Sequence, residues 1–292
     1  MQKFGRKYQL NAGTIEGNTL TIEPPFTLEF DINRNVLSSA NTSQIRVYNL
    51  SKNHRNALRK NVNDYGDLRL ITLRAGYGTN LPMIFSGNVT HAFSVREGTN
   101  FITQLESFDG GYAFANGFSS ENFPADTPQE TIIQTLMDNL QQQGVSFGGI
   151  GNLFSGSTGR GNAYSGATIE LLRQLTGGAF FIDNGKVYAL GDNECLPARG
   201  ISVINSQSGL LGTPVLEQTI LHFDMIFEPR LIIGQIVTLD SLNRTVPKGS
   251  YKVVSLKHRG MISEAVCGEA ITSVGLFAPL AGSTLTTTSG AT

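Results

Sequence analysis

The sequence predicts a β-rich α+β fold, in which two regions of β-strands lie on either side of a small α+β unit. Three observations lead to this fold class. Several segments alternate apolar and polar residues with a period of two, which is typical of strands with one buried face. Glycine supplies 33 of 292 residues, and charged residues only 15%, against about 25% in an average soluble domain. Apolar residues at helical spacing are concentrated in the middle of the chain.

The change of pattern along the chain predicts three folded units and a tail. Residues 1–122 and 201–278 are predicted to form two β domains. The strands of the first are long, and they fit a barrel or a strongly coiled sheet better than a flat open one. Residues 123–200 are predicted to form the α+β insert between them. Residues 279–292 are rich in Ser, Thr and Gly, which predicts a flexible C-terminal tail.

The first β region begins with the clearest strand, residues 26–33, whose apolar and polar positions alternate strictly. A later row starts at Leu68 and Leu70 but continues out of phase at Ile71. A one-residue change of phase turns a strand over, so this pattern predicts a β-bulge near Leu70.

The region ends in two strands, residues 85–95 and 101–108, which are predicted to pair around Gly98. His91 falls in the inward row of the first of these strands. It is interpreted as a hydrogen-bonded histidine of the core, with a metal ligand as the alternative.

A short basic helix is predicted within the first region at residues 52–60, with Ser51 as its N-cap. Its cations could bind DNA phosphate or an acidic neighbour. No aromatic residues interleave with them as in single-strand binders. A solvated helix face or a protein contact is therefore favoured.

The insert is predicted to contain two helices and a hairpin. Residues 127–130 (TPQE) form a capping box with proline at the first helical position, and an apolar stripe follows. Gly144 suits the end of this helix, and a glycine- and serine-rich loop leads to a second helix at residues 167–175. Asn184 and Gly185 predict a type I′ turn between two short strands.

Alternation returns in the second β region. Residues 221–227 carry an apolar row, and residues 251–258 and 263–270 are predicted to pair around Arg259 and Gly260. Both β regions then end in a long strand, a tight connection and a return strand. Two copies of one barrel-like domain would explain this repeated pattern, and a chance similarity is the alternative.

No local pattern predicts a metal site or a cofactor. The glycine-rich segment 148–156 lacks the Gly-Lys-Ser/Thr ending of a phosphate loop. The four histidines are never spaced as a metal pair. Cys195 and Cys267 match no metal spacing, and free thiols are favoured over a disulfide.

Two carboxylate pairs define the enzyme alternative, Glu106 with Asp109 and Glu264 with Glu269. Placed on strands, such a pair could hydrolyse a glycan of the cell wall. Strand alternation favours solvated positions for them, so the chain is not expected to be an enzyme.

The charge balance and hydropathy exclude two further classes. A net charge of −1 excludes a basic nucleic-acid coat protein. The first ten residues carry no apolar run of a secretory signal. Residues 270–292 form the longest stretch of the sequence without a charged residue, but their apolar part is too short to span a bilayer. No stable membrane insertion is expected.

Two stretches of the sequence resemble baseplate or tail hub proteins of tailed phages. Residues 45–51 (IRVYNLS), a strand that enters the short basic helix, are similar to the start of these proteins. Residues 208–214 (SGLLGTP), 227–231 (FEPRL), 234–237 (GQIV) and 249–260 follow one another as in the second barrel of baseplate hub proteins. The motifs are structural ones.

The resemblance implies two tail-tube-like β-barrel domains per subunit and a structural role in the virion. Three subunits would present six similar domains, and this pseudo-sixfold ring would join a hexameric tail tube to a trimeric spike. The implied partners are a second and third copy, the tail tube protein, the central spike protein and neighbouring wedge or sheath-initiating proteins. Genomic DNA would only pass through the lumen. The protein would be assembled in the host bacterial cytoplasm. The low surface charge agrees with large permanent interfaces.

Two other functions remain open at this point. A tail tube or other tail-tip subunit could have the same barrel fold. A peptidoglycan-degrading tail enzyme is the less favoured reading.

The residues singled out in these motifs are expected to have structural roles. Gly209 and Gly212 would allow a tight turn before the first strand of the second barrel. Pro229 would end a strand. Arg230 beside Glu228 would form an ion pair, either between subunits or locally. The candidate structural and interface residues are Asn49, Ser51, Arg55, Gly209, Gly212, Pro214, Glu228, Pro229, Arg230, Gly234, His258 and Arg259.

Overall fold

The computed structural model describes residues 3–64, 66–241, 247–266, 268–279 and 284–288. About half of these residues lie in strands, most of which pair antiparallel, so the β-rich class is confirmed. Both β regions belong to one sheet of 13 strands in the described part of the chain. Three clusters of buried side chains are centred on the first region, the second region and the insert. Phe227 of the second region belongs to the first cluster, and Phe181 of the insert belongs to the second.

The first region is an antiparallel array with the order β3-β4-β7-β6-β5-β1-β2. Its strands are β1 (Arg6–Gly13), β2 (Thr19–Ile22), β3 (Leu28–Asn35), β4 (Thr42–Tyr48), β5 (Arg69–Tyr77), β6 (Met83–Glu97) and β7 (Asn100–Phe108). Helix α1 (Lys52–Leu58) follows β4. The predicted alternation of residues 26–33 is confirmed, because β3 buries Leu28, Phe30 and Ile32 in the core.

The bulge predicted near Leu70 is wrong. Leu68 and Leu70 are exposed, and Arg69 continues the buried row of Ile71. Arg69 can occupy this position because its guanidinium binds the Asp67 carboxylate and donates to carbonyls at the end of α1. An arginine with enough partners therefore replaces the leucines in the inward row.

The inward position predicted for His91 is also wrong. The register of β6 against β7 shifts between Val89 and His91, so the additional residue Thr90 exchanges the two faces of the strand. Ala92 then takes the buried position. His91 is half-buried, and its Nδ1 lies 3.7 Å from Glu106 Oε2.

The insert contains the predicted helices and hairpin, together with four more elements. Its elements are α2 (Gly111–Asn116), β8 (Phe118–Phe123), α3 (Gln129–Asn139), β9 (Ser146–Ile150), β10 (Asn162–Ala167), α4 (Thr168–Thr176), β11 (Phe180–Asp183) and β12 (Lys186–Ala189), with 3-10 turns at Leu140–Gln143 and Asn152–Phe154. Two of the four additional elements, α2 and β8, begin before residue 123 and pack Ala113 and Phe123 against the core of the insert. Asn184 and Gly185 both have positive φ, 52° and 73°, as the predicted I′ turn requires.

Two details of the insert differ from the prediction. The capping box is absent, because the Thr127 hydroxyl donates to the Pro124 carbonyl at 2.8 Å and Pro128 is the N-cap. The stretch predicted as a loop contains β9 and β10, which find partners in β12 and β8. Short strands of this kind depend on partners far away in sequence.

The second region has the order β15-β16-β19-β18, and β17 lies beside the first half of β18. Its strands are β13 (Glu194–Cys195), β14 (Val203–Ile204), β15 (Leu210–Glu217), β16 (Ile220–Ile226), β17 (Ile236–Leu239), β18 (Gly249–Ile262), β19 (Ala270–Phe277) and β20 (Thr286–Thr287). The predicted row at residues 221–227 is buried at Leu221, Phe223, Met225 and Phe227.

The tail predicted to be flexible contributes a strand. Strand β20 pairs in parallel with β13, and Thr288 is buried. The flexible-tail prediction is therefore wrong at residues 286–288. Residues 280–283 and 289–292 lie outside the described residues.

The turn predicted at Arg259 and Gly260 is wrong, because β18 runs straight through both residues. Gly260 pairs with Ala270 on one side and with Phe30 on the other. A Cβ added to Gly260 would lie 2.6 Å from the Glu269 carbonyl oxygen. This glycine serves the close approach of neighbouring backbones rather than a turn.

One strand pair joins the two β regions. Strand β18 pairs antiparallel with β3, from Ser255 opposite Asn35 to Ile262 opposite Leu28. Because β18 pairs with β3 rather than with β15, the strands described here close neither region into a barrel. The sheet is open and ends at β15 and β2.

Candidate assembly interface

The two β regions repeat the same order of four strands, β15-β16-β19-β18 and β3-β4-β7-β6. The last two strands of each set also share an irregularity. The register shifts between Val89 and His91 in β6, and between Val253 and Ser255 in β18. These shifts fix which residues of the two sets correspond. We call each set of four strands a unit.

The two groups of motif residues occupy corresponding corners of the two units. Strand β4 ends with Tyr48 opposite Ile102 of β7, and β16 ends with Ile226 opposite Ile271 of β19. The chain leaves the sheet after Tyr48 into α1 and after Ile226 into residues 227–231. The two groups of sequence motifs therefore lie at the same corner of the two units.

The first corner is held by side chains that bind backbone. Asn49 has a φ of 59°, and its Oδ1 accepts the N–H of Phe101 at 3.0 Å while its Nδ2 donates to Asn100 Oδ1 at 3.0 Å. Ser51 Oγ accepts a backbone N–H of the first turn of α1 at 3.2 Å. The Arg55 guanidinium lies 3.7 Å above the Phe101 ring, within the range of a cation–π contact. This corner fixes where α1 starts.

The second corner is built on a buried carboxylate. Glu228 is 1% exposed and binds Arg230 through Nε at 2.7 Å and Nη2 at 2.8 Å. Burial alone would raise the pKa of Glu228, but the hydrogen bonds of Arg230 and the charge of Lys3, 3.4 Å away, lower it overall. Pro229, between the pair, is buried. Within one chain the Glu228–Arg230 pair is local.

His258 and Arg259 lie on opposite faces of β18. His258 is fully buried, and its Nδ1 lies 2.9 Å from Thr272 Oγ1. Burial, together with the charge of Arg34, lowers the pKa of His258 to about 3, so the imidazole is neutral. Arg259 is exposed on the other face. His258 thus belongs to the core and Arg259 to the surface.

Positive φ angles explain why glycine occupies three of the positions singled out in the sequence. Gly209, Gly212 and Gly234 have φ of 101°, 65° and 82°. Gly212 lies where the register of β15 shifts against β16, and Pro214 in the same shift is buried. A Cβ on Gly234 would lie 3.0 Å from the Phe181 ring of the insert.

A buried polar network that the sequence analysis missed attaches the insert to the first region. Arg34 binds Asp183 through Nε at 2.8 Å and Nη2 at 2.6 Å. The Asp109 carboxylate accepts the N–H groups of Asn184 and Gly185. Burial, with Asp183 nearby, raises the pKa of Asp109 to about 7. The available signal was Arg34 itself, which continues the inward row of β3.

The face of the sheet opposite the cores carries a polar groove that crosses both units. One part has a volume of about 630 Å³ and a second part about 430 Å³, and both are lined by Asn33 and Lys257. Within the groove, Lys257 lies 3.0 Å from Asp31. In an adjoining cavity Arg46 is shared by Glu29 at 3.2 Å and Glu97 at 3.0 Å.

The structure places the carboxylates of the enzyme alternative in different settings. Asp109 holds backbone N–H groups with its carboxylate. Glu264 and Glu269 lie in the connection between β18 and β19 rather than on strands. The described residues contain no cluster of three or more His, Cys, Asp or Glu suited to a metal ion.

Two further expectations concern cysteines and membranes. Cys195 is buried, and burial raises the pKa of its thiol to about 11. Cys267 lies outside the described residues. No helix in the described ranges is long and apolar enough to cross a bilayer.

A family model identifies the relatives of the chain. The model described as Baseplate hub gp41 matches residues 11–260, which is most of the sequence. No curated protein matches the chain by sequence.

Solved structures of tail proteins share the fold. The 43 kDa tail protein of prophage MuSo2 from Shewanella oneidensis has a TM-score of 0.59 at 10% identity, over 94% of this chain and 98% of that one. A tail protein from Neisseria meningitidis MC58 has a TM-score of 0.59 at 10% identity, over 94% and 97%. The E. coli c3393 protein, a component of the type VI secretion system with structural similarity to T4 tail proteins gp27 and gp5, has 0.55 at 8% identity, over 88% and 75%.

Proposed function

The chain belongs to the baseplate hub gp41 family, and from this premise we propose that three copies form a ring that joins the phage tail tube to the central spike. The observation that carries the proposal is the repeat of the four-strand unit within one chain. Three copies supply six such units. A ring of this kind presents near-sixfold symmetry to a hexameric tube and true threefold symmetry to a trimeric spike.

The groove face of the sheet would line the bore of this ring. It is polar, and two of its cations, Lys257 and Arg46, are paired with carboxylates. Further carboxylates on the same face, such as Glu106 and Asp224, leave an excess of negative charge. Such a surface would let double-stranded DNA pass without binding its phosphates.

The proposed partners follow from this position. They are two further copies of the chain, the tail tube protein, the central spike protein and the neighbouring wedge or sheath-initiating proteins of the baseplate. The ring would be assembled in the host bacterial cytoplasm and remain in the virion tail. The solved relatives are tail and secretion-system proteins, which supports a role in such a particle.

The test is the stoichiometry of the purified chain and of the particle. We expect a species of three times 31.5 kDa, about 95 kDa, and a ring with an open bore in electron micrographs. Three copies per particle fit a hub, whereas six copies per layer would indicate a tail tube subunit. A chain that stays monomeric with tube and spike proteins present contradicts the proposal. A zymogram on cell-wall material should show no clearing, and clearing by the purified chain would support the enzyme alternative.

A further inference from the structure

We propose that strand β6 of one chain pairs antiparallel with strand β15 of a second copy, with Ser94 opposite Leu216 and Val95 opposite Val215. The inference rests on the proposed ring, and it names the strands and the residues that close it.

The template is the junction already present inside the chain. Strand β18, the last of one unit, pairs with β3, the first of the other, and places His258 opposite Ile32 and Arg259 opposite Asp31. When the two units are joined in this way, one strand at each end has no partner unit. These strands are β6, the last of one unit, and β15, the first of the other. Repetition of the internal junction between chains would therefore bring β6 to β15.

The shared register shift identifies the counterparts in β6. Val89 and Val253 are the last residues before the shift in their strands. Counting five residues onward from each makes Ser94 the counterpart of His258. Val95 is then the counterpart of Arg259.

The ends of β15 and β3 identify the other side. Glu217 pairs with the first residue of β16, as Asn33 pairs with the first residue of β4. Counting back one residue makes Leu216 the counterpart of Ile32. Val215 precedes Leu216 and corresponds to the residue before Ile32.

The edge of β6 is open where the proposal needs it. Ala92 exchanges backbone hydrogen bonds of 2.9 and 3.0 Å with Lys60, on the edge away from β7. Backbone groups alternate between the two edges of a strand, so those of Ser94 and Arg96 point to the same edge as Ala92. In the described chain no strand pairs with this edge beyond Ala92.

The edge of β15 is also open, and its apolar side chains lack cover. In the described residues β15 pairs only with β16. Leu216 is 57% exposed, whereas its counterpart Ile32 is fully buried. Val215 and Val95 are also exposed, and the proposed register places them side by side. A second copy would remove this apolar surface from water.

The charges beside the junction are complementary. The cations Lys52 and Arg55 of α1 line a cavity of about 440 Å³ together with Phe93. The proposed register places Glu217 of the second copy opposite Phe93. The carboxylate would then lie next to a basic helix, which favours this pairing over contact with another basic surface.

A double cysteine variant tests the register in the full-length chain. Residues opposite each other at a non-hydrogen-bonded position have Cα atoms about 4.5 Å apart, within the range that a disulfide spans. We expect Val95→Cys/Val215→Cys to give covalent dimers and trimers on a non-reducing gel after mild oxidation. The matched control Val95→Cys/Leu211→Cys keeps both strands but breaks the register, and should cross-link several-fold less. The unsubstituted chain measures the background from Cys195 and Cys267.

A charged substitution tests the buried side chain. Leu216→Asp should abolish the trimer and leave the thermal unfolding of the monomer unchanged, because Leu216 is exposed in the single chain. Val62→Asp, at another exposed apolar position, should leave the trimer intact.

The outcomes separate this inference from the proposed function. A ring of three copies that fails to cross-link through Val95→Cys/Val215→Cys, or that survives Leu216→Asp, overturns the junction and leaves the hub standing. A chain that forms no oligomer overturns both.

Discussion

At the residue scale, burial shifts two titratable side chains towards their neutral forms. The pKa of Asp109 is raised to about 7 and that of His258 is lowered to about 3. In the folded chain Asp109 therefore holds a proton below about pH 7, whereas His258 stays unprotonated down to about pH 3. The two groups give opposite slopes of stability against pH.

The Asp109 slope can be isolated by substitution. Its pKa is about 7 in the folded chain against 3.8 as the ordinary value, so between these limits the folded state binds a proton that the unfolded state lacks. This contribution is largest below about pH 4 and is lost as the pH rises through 7. We expect Asp109→Asn to lose about 1–3 kcal/mol because a buried N–H loses its acceptor. The Tm of the Asp109→Asn chain should also fall less between pH 5 and 8 than the Tm of the unsubstituted chain.

The control for this measurement is Asp138→Asn, an exposed carboxylate of α3. It should keep the pH dependence of the unsubstituted chain. An Asp109→Asn chain with an unchanged slope of Tm against pH would show that Asp109 does not carry a proton in the folded state.

At the element scale, a buried ion pair connects the insert to the sheet. Arg34 of β3 and Asp183 of β11 are 3% and 4% exposed, and they form two hydrogen bonds. A buried charge that loses its partner costs about 3–5 kcal/mol, whereas replacing both charges by apolar groups is often neutral.

This asymmetry gives a prediction for a pair of variants. Arg34→Met should lower the free energy of unfolding by about 3–5 kcal/mol, because it leaves Asp183 buried beside Asp109. Arg34→Met/Asp183→Leu should recover most of this loss. Urea unfolding of both chains measures the difference, and a double variant no more stable than Arg34→Met would contradict the role of the pair.

The elements that sequence reasoning predicted well depend on local signals. Asn184 and Gly185 specify their turn by backbone preference, and Ser51 caps α1 with its own hydroxyl. The misplaced residues depend on partners elsewhere in the chain. Arg69 is buried because carbonyls at the end of α1 receive its guanidinium, and Gly260 is a strand residue because the β19 backbone approaches it.

The candidate interface shows the same division. The motifs at Asn49 and Glu228 identified both corners, but not that these corners are counterparts. That relation, and the joining of both regions through β18 and β3, depend on pairing between residues more than 200 positions apart. No periodicity within either strand encodes which distant strand it meets.

At the scale of the whole molecule, the charge of the groove face determines whether the proposed ring would attract or repel DNA. Asp31 and Glu106 both line it, and they lie on β3 and β7 of the same unit. In the proposed ring they would face the bore and repel phosphate. Their reversal to lysine would replace repulsion by attraction at six positions of a trimer.

We therefore predict that rings of Asp31→Lys/Glu106→Lys retain double-stranded DNA in a gel-shift measurement at low salt, and that the retention falls steeply as salt rises. The unsubstituted ring should not retain DNA. The control Glu16→Lys/Glu130→Lys makes the same change of net charge at exposed sites outside the groove, so it separates the position of the charge from its amount. Equal retention by both variants would mean that net charge alone governs binding. In the proposed ring these two carboxylates come together from three chains at the bore, so retention by the groove variant alone would support a groove face directed towards the DNA.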